Sequence, residues 1–414
     1  VRISLVYQIL IAFILAIIAG AIFGEAIFVV EPLGELFLRL IQFVIVPLVL
    51  ASLIVGVTSL GSGKQMLRLG GKTVGYFLVT SFLAVGIGLS MGFLFNPGEV
   101  ADIDPPTEEE AEEELEDTEE QDDDVVDVIL SIVPENPIEG MAEADILQVI
   151  FFALALGIGI LLVGERAEPV KNFFESLAEV MFKITGGIMK VAPIGVFGIL
   201  APVVGEHGLA VLMPLLVVIA ALAVGCLIHI LVVYGSAVKF LGKISPLKFF
   251  KGMSPAFMFA FSAASSAATI PLSMKNVQEN VGVSNNTSSF VIPLGATINM
   301  DGTALYNGVA VLFIAQFYGV QLSFLEIVTV MVVATLAAIG TAGVPGAGLI
   351  MLTITLTAVG LPLEGVALVA AIDRILDMIR TGTNILGDSA CSVYIERSEH
   401  KDKAFQADKN APSA

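Results

Sequence analysis

Near the C-terminal end, residues 373–388 read DRILDMIRTGTNILGD and carry three carboxylates and two guanidinium groups inside an apolar stretch. At about 100° per helical residue, Asp373, Arg374, Asp377, Arg380, Thr381, Asn384 and Asp388 fall in a stripe roughly 120° wide. A charge at the centre of a membrane helix costs about 2.5 to 3.5 kcal/mol, so it persists only beside a partner, a cavity or a bound solute. Arg380 offers a planar fork suited to a carboxylate. Asp377, one turn earlier on the same face, could take an ammonium or could pair internally with Arg380 at i, i+3. Asp388 beside Asn384, and Asp301 beside Asn299, Gly302 and Thr303, have no basic partner nearby in sequence. Carboxylate, amide, hydroxyl and freed backbone carbonyl are the oxygen donors with which a hard cation such as Na⁺ replaces its water. The competing reading is that these acids are neutralised or paired within the bundle.

The elements that hold these residues must be membrane helices. The 414 residues are 56% apolar with a mean hydropathy of +0.91, far outside soluble composition. Runs long enough to cross a bilayer fall at 5–28, 40–60, 73–95, 146–163, 173–204, 209–238, 290–317, 324–359 and 366–394. A tenth, 256–274, is interrupted by polar residues. The first run reads as a membrane helix rather than a cleaved leader.

Basic residues set the orientation, since Lys and Arg collect on the cytoplasmic side. Arg2, the groups Lys64/Arg68/Lys72, Arg166/Lys171 and Lys239/Lys243/Lys248/Lys251, and the tail Arg397/Lys401/Lys403 all read as inside. Both termini are then cytoplasmic. Residues 98–127 fall outside the cell and hold much of the net charge of −20; they read as a solvated acidic loop. Cys226 and Cys391 lack metal or redox spacing and read as packing residues. His229, inside a span, reads as packed or locally hydrogen-bonded rather than as a proton relay. There is no Cys/His metal cluster, no phosphate-binding loop and no basic nucleic-acid patch, so no cofactor and no nucleic-acid partner is expected.

The C-terminal half repeats itself. FSAASSAATIPL (261–272) is a small-residue segment with a Pro, followed by a helix broken at Asn299 to Thr303; IGTAGVPGAGLI (339–350) is a second Gly- and Pro-punctuated break, followed by the polar-striped helix. Interrupted segments in pairs point to a transporter's binding site, because unwound backbone at membrane depth survives only where it lines a cavity or ligates something. Both segments are candidate re-entrant hairpins. The first half lacks such breaks and reads as scaffold, with Pro47 and Gly56 as kink or close-packing points.

FSAASSAATIPLSM, GATINMDGTALY, IGTAGVPGAG and DMIRTGTNILGD, in this order and at these separations, resemble the dicarboxylate/amino acid:cation symporter family. The resemblance covers nearly the whole chain and is weakest over 101–125. It implies an all-α integral membrane protein of eight transmembrane helices plus two re-entrant helical hairpins, with inverted repeats, working as a homotrimer of elevator transporters. The implied division is 1–72 scaffold and trimerisation helices, 73–97 a transport-domain helix, 98–127 the acidic loop, 128–205 scaffold, 206–396 transport domain and 397–414 a cytoplasmic tail. Carried over by position, substrate meets the backbone around Ala264 and Ser266, Thr303, the second hairpin tip at Gly343 and Val344, and Asp377, Arg380, Thr381 and Asn384. One sodium site takes Gly295, Asn299, Asn384 and Asp388. A second takes Thr297, Ala338, Ile339 and Thr341 with the Met300 sulfur, and a third Phe77, Thr80, Ser81, Asn299 and Asp301.

The chain also departs from its kin. Archaeal members carry an Arg at the position of Ala264 and animal members one at Met378; this chain has neither and has Arg374 instead. Asn307 stands where animal members carry a proton-binding Glu, which disfavours proton and potassium countertransport. The C4-dicarboxylate branch lacks the acid at Asp377, which favours an amino acid here. The expected protein is therefore not an enzyme but a multi-pass plasma-membrane symporter, prokaryotic, taking L-aspartate or L-glutamate inward with Na⁺. Its rivals are a proton-coupled glutamate or C4-dicarboxylate carrier, a channel and, remotely, an intramembrane aspartyl protease using Asp301 and Asp388.

Overall fold

The computed structural model describes residues 5–58, 64–100, 133–188, 190–339 and 347–409. The acidic segment expected at 98–127 and the second hairpin tip, with Thr341, Gly343 and Val344, lie largely or wholly outside them. Every regular element among the described residues is helical. They are α1 (Leu5–Phe23), α2 (Glu31–Thr58), α3 (Lys64–Phe95), α4 (Pro137–Ala142), α5 (Ile146–Val163), α6 (Glu168–Ile188), α7 (Ala192–His207), α8 (Leu212–Ile228), α9 (Pro246–Ala263), α10 (Ser266–Asn276), α11 (Asn285–Ile298), α12 (Asp301–Phe317), α13 (Phe324–Ala337), α14 (Ala347–Ala358) and α15 (Gly365–Lys409). Five helical stretches, Ile11–Phe37, Arg68–Phe95, Ile146–Ile188, Leu212–Leu241 and Asn285–Phe317, are long and apolar enough to cross a membrane.

Two sequence expectations change. The run 173–204 is not one helix: it turns at Lys190 and Val191, between Gly186-Gly187 in the last turn of α6 and Pro193 in the first turn of α7. Glycine is a weak helix residue and proline is at home at a helix start, so a bend there costs little. Along the run 209–238, α8 continues into two π-helical segments, His229–Tyr234 and Ala237–Leu241.

The breaks expected at 261–272 and 299–303 are present, and most of the one expected at 339–350 lies outside the described residues. α9 ends at Ala264, held in the left-handed region at φ 50°; Ser265 then caps α10, accepting from the Ala268 N–H at 3.2 Å. α9 and α10 pack against each other, as do α13 and α14. Between α11 and α12 the chain is extended at Asn299 (φ −103°, ψ 94°), and helix resumes at Asp301.

α1, α2, α5, α6 and α7 pack largely among themselves, whereas α3 packs on α8, α12 and α13. α12 is buried along nearly its whole length, and α15 lies against α9, α11 and α12. Small residues permit the closest crossings. Gly88 of α3 meets the Leu305 carbonyl and Gly308 of α12, and Gly302 rests on the backbone of Arg380; an added Cβ at any of these would collide. These contacts bring the polar residues of α3, α12 and α15 to one depth.

Candidate functional site

A pocket at that depth is lined by Ala264 and Ser266 from the first hairpin, Met300 and Thr303 from the α11/α12 break, Ala347 and Gly348 at the start of α14, and Asp377, Arg380, Thr381 and Asn384 from α15. It collects every described residue expected to touch substrate. Arg380, only 1% exposed, dominates it. Its Nε donates to Asp377 Oδ1 at 3.0 Å, its Nη2 lies 2.8 Å from Asp373 Oδ1, and its Cζ sits 4.7 Å from the centroid of the Tyr306 ring. The internal pair at i, i+3 therefore forms, and Asp373, which the sequence left without a role, is a second counter-ion. Gly348 presses on the guanidinium, leaving no room for a side chain. Nη1 has no hydrogen-bond partner among the described residues, while Nη2 is ion-paired with Asp373. A buried guanidinium with free donors facing a pocket is built to receive a further acceptor, such as a carboxylate. Thr381 Oγ1 donates to Asp377 Oδ1 at 3.4 Å.

Asn384 knits α15 to the break. Its Oδ1 accepts from the Gly302 N–H at 2.7 Å, and its Nδ2 lies 3.2 Å from the Met300 sulfur and 3.5 Å from Thr303 Oγ1. One turn on, Asn299 Nδ2 reaches Asp388 Oδ1 at 2.9 Å and the Asn384 carbonyl at 3.3 Å. Gly295 lies against the Asp388 carboxylate, where a Cβ would clash. The first expected cation group, Gly295, Asn299, Asn384 and Asp388, is thus together, its oxygens bridged by a side-chain amide.

The second group is described in part. Ala338 and Ile339 are buried just past the end of α13, Thr297 is exposed in the last turn of α11 with its hydroxyl bonded to the Leu294 carbonyl, and Thr341 is outside the described residues.

The third group is compact. Phe77, Thr80 and Ser81 of α3 are buried, Ser81 Oγ donates to Asp301 Oδ1 at 2.6 Å, and Thr80 Oγ1 donates to the Phe77 carbonyl at 3.2 Å. Asn299 Oδ1 is buried with no hydrogen-bond partner among the described residues. Two buried carboxylates, Asp301 with its Ser81 hydroxyl and Asp388 with the Asn299 amide, and an orphaned amide acceptor are donor types that suit a hard monovalent cation. Asp301 has further partners that its sequence neighbourhood does not announce: Tyr234 OH donates to Oδ2 at 2.8 Å and His229 Nε2 lies 3.2 Å from the same atom. His229 is thus locally hydrogen-bonded, one of the two roles open to it from sequence. The signal that could have found the pair was two polar aromatic residues, five apart, in one apolar span.

Arg374 does not enter the pocket; its Nη2 donates to the Ser262 carbonyl in the last turn of α9, at 3.1 Å. Asn307 is satisfied, donating to the Thr303 carbonyl at 3.0 Å and accepting from Thr355 Oγ1 at 3.2 Å.

Residues 5–398 match the model of the sodium:dicarboxylate symporter family. The chain is 37% identical to a proton/sodium-glutamate symport protein of Geobacillus stearothermophilus over 402 residues, 96% of this chain and 95% of that one. It is 34% identical to a proton/glutamate-aspartate symporter of Escherichia coli over 413 residues, covering 97% and 94% of the two chains. It is 33% identical to a C4-dicarboxylate transport protein of Rhizobium johnstonii over 395 residues, covering 95% and 88%.

Proposed function

The chain belongs to the sodium:dicarboxylate symporter family, and from that premise we propose that it imports an acidic amino acid, L-aspartate or L-glutamate, together with Na⁺. It is a multi-pass membrane transporter rather than an enzyme, and its substrates are of the acidic amino-acid and dicarboxylate class. The observation that carries the finer reading is Asp377 beside Arg380 in one pocket, with the Arg380 Nη1 without a hydrogen-bond partner among the described residues. A dicarboxylate alone would use the guanidinium and leave a buried aspartate facing it; an amino acid brings an ammonium for Asp377 as well. Sodium coupling is supported by the oxygen-rich groups around Asp301 and Asp388, and Asn307 adds an amide that carries no titrating proton.

α3 and α8 to α15 form the moving transport domain, including the hairpins α9/α10 and α13/α14; α1, α2 and α5 to α7 form the scaffold through which three copies assemble. The way these helices pack within the chain supports the division. Three Na⁺ with one net-negative substrate would carry two charges inward, about 4.6 kcal/mol per 100 mV, and each tenfold Na⁺ gradient adds about 1.4 kcal/mol per ion.

The second reading, proton coupling or C4-dicarboxylate transport, is favoured by relatives named for those activities. Uptake of radiolabelled aspartate into proteoliposomes, with Na⁺, H⁺ and K⁺ gradients imposed separately, tests both. Accumulation should follow the Na⁺ gradient; accumulation that ignores Na⁺ and follows pH, or competition by succinate but not glutamate, overturns the proposal.

A further inference from the structure

Asp301 is held from two sides. Ser81 binds its Oδ1, and Tyr234 and His229 converge on its Oδ2 at 2.8 and 3.2 Å. His229, Tyr234 and Asp301 are fully buried, at 0% exposure each. For His229 Nε2 to donate, the ring proton sits on that nitrogen. The two rings meet edge to face with centroids 4.7 Å apart.

The backbone explains how both reach one oxygen. Residues five apart on an α-helix point about 140° from each other, but His229–Tyr234 is π-helical, and the wider turn brings i and i+5 towards one face. A regular α-helix over these residues would carry Tyr234 away from Asp301.

We propose that Tyr234 and His229 are positioning residues for the cation held by Asp301, Ser81, Thr80 and Asn299; this rests on the sodium-coupled reading. Neither needs to touch the ion. Two donors on Oδ2 fix the plane of the carboxylate and satisfy that oxygen, so Oδ1, which takes one donor from Ser81, and the orphaned Asn299 Oδ1 keep acceptor capacity for the cation. Fixed oxygens set the size of the hole they surround. A carboxylate free to rotate closes more readily on a smaller ion, so the clamp should favour Na⁺ over Li⁺.

The test is thermal unfolding of the purified full-length protein in detergent without substrate, titrated with NaCl or LiCl against choline chloride at constant ionic strength. Wild type should be stabilised saturably by Na⁺. Tyr234→Phe removes one oxygen; it should raise the half-saturating Na⁺ concentration about three- to tenfold and reduce the preference for Na⁺ over Li⁺, with the ion-free melting temperature nearly unchanged. His229→Gln, which keeps a donor nitrogen, should stay near wild type, whereas His229→Leu should behave like Tyr234→Phe. The histidine pair serves alone should Tyr234→Phe fail to fold. Wild-type Na⁺ curves and Na⁺/Li⁺ ratios in Tyr234→Phe and His229→Leu overturn the positioning role while leaving sodium coupling intact. A wild-type protein that Na⁺ does not stabilise overturns both.

Discussion

Asp373 Oδ1 lies 2.8 Å from Arg380 Nη2, two turns away along the same helix, so the guanidinium is held between Asp373 and Asp377 at its two ends. Its position is set before any solute arrives, which lowers the ordering cost of recognising a carboxylate. Asp373→Asn should leave the protein folded, because Asp377 still pairs with Arg380, but raise the KM for aspartate by about tenfold, the equivalent of about 1.4 kcal/mol. Initial-rate uptake in proteoliposomes measures it; an unchanged KM would show that Asp377 and Tyr306 suffice.

Arg380→Lys keeps the charge and loses the fork. A lysine ammonium is a point charge with no fixed plane and no stacking on Tyr306. Aspartate kcat/KM should fall by about 100-fold, consistent with the loss of about 2 to 3 kcal/mol of charge-assisted hydrogen bonding. Uptake of neutral amino acids by the same variant should fall far less.

Asp377→Asn removes the only acid within hydrogen-bond distance of both Arg380 and Thr381 among the described residues. Aspartate should lose its advantage over succinate, since only aspartate carries an ammonium for that carboxylate. Competition of both compounds against labelled substrate decides it, and a variant that still prefers aspartate would place the ammonium elsewhere.

Gly348→Ala puts a methyl group where the guanidinium now sits. The buried arginine cannot yield without leaving Asp373 or Asp377, so aspartate binding should weaken by at least about tenfold, while the overall helix content stays unchanged. Isothermal titration with aspartate in saturating Na⁺ reports the first, and circular dichroism the second.

Arg374→Ala removes a donor from the Ser262 carbonyl near the C-terminal end of α9. Carbonyls in a last helical turn lack intrahelical partners, and a cation there steadies the end. Amide hydrogen exchange at residues 263–266 should quicken, with the KM for aspartate within about twofold of wild type because Arg374 does not line the pocket. Unchanged exchange would mean that the exposed contact contributes nothing to the hairpin.

The membrane class, the breaks at 261–272 and 299–303, and the stripe from Asp373 to Asp388 were legible in the sequence because each follows from local chemistry. Apolar length sets a span, Gly, Pro and Ser interrupt it, and a constant angle per residue aligns polar side chains. The internal Asp377–Arg380 pair was legible for the same reason, being one turn apart. The motif resemblance also named pocket residues from three segments that the fold does bring together.

What the tertiary structure alone decided lies in contacts between distant segments. Asp373 faces Arg380 rather than the lipid or a domain boundary because rotamers and packing, not spacing, choose among the neighbours on one helix face. Arg374 turns to α9 for the same reason. His229 and Tyr234 meet Asp301 across 72 and 67 residues of chain, through a π-helical turn that no hydrophobic period announces. The bend at Lys190 is not marked by hydropathy because both flanks are apolar, and apolarity is indifferent to direction. Periodicity and composition record where a residue stands on its own element; which partner it meets is settled by close approaches such as Gly88 to Gly308 and Gly302 to Arg380, where the absence of a side chain lets two backbones touch.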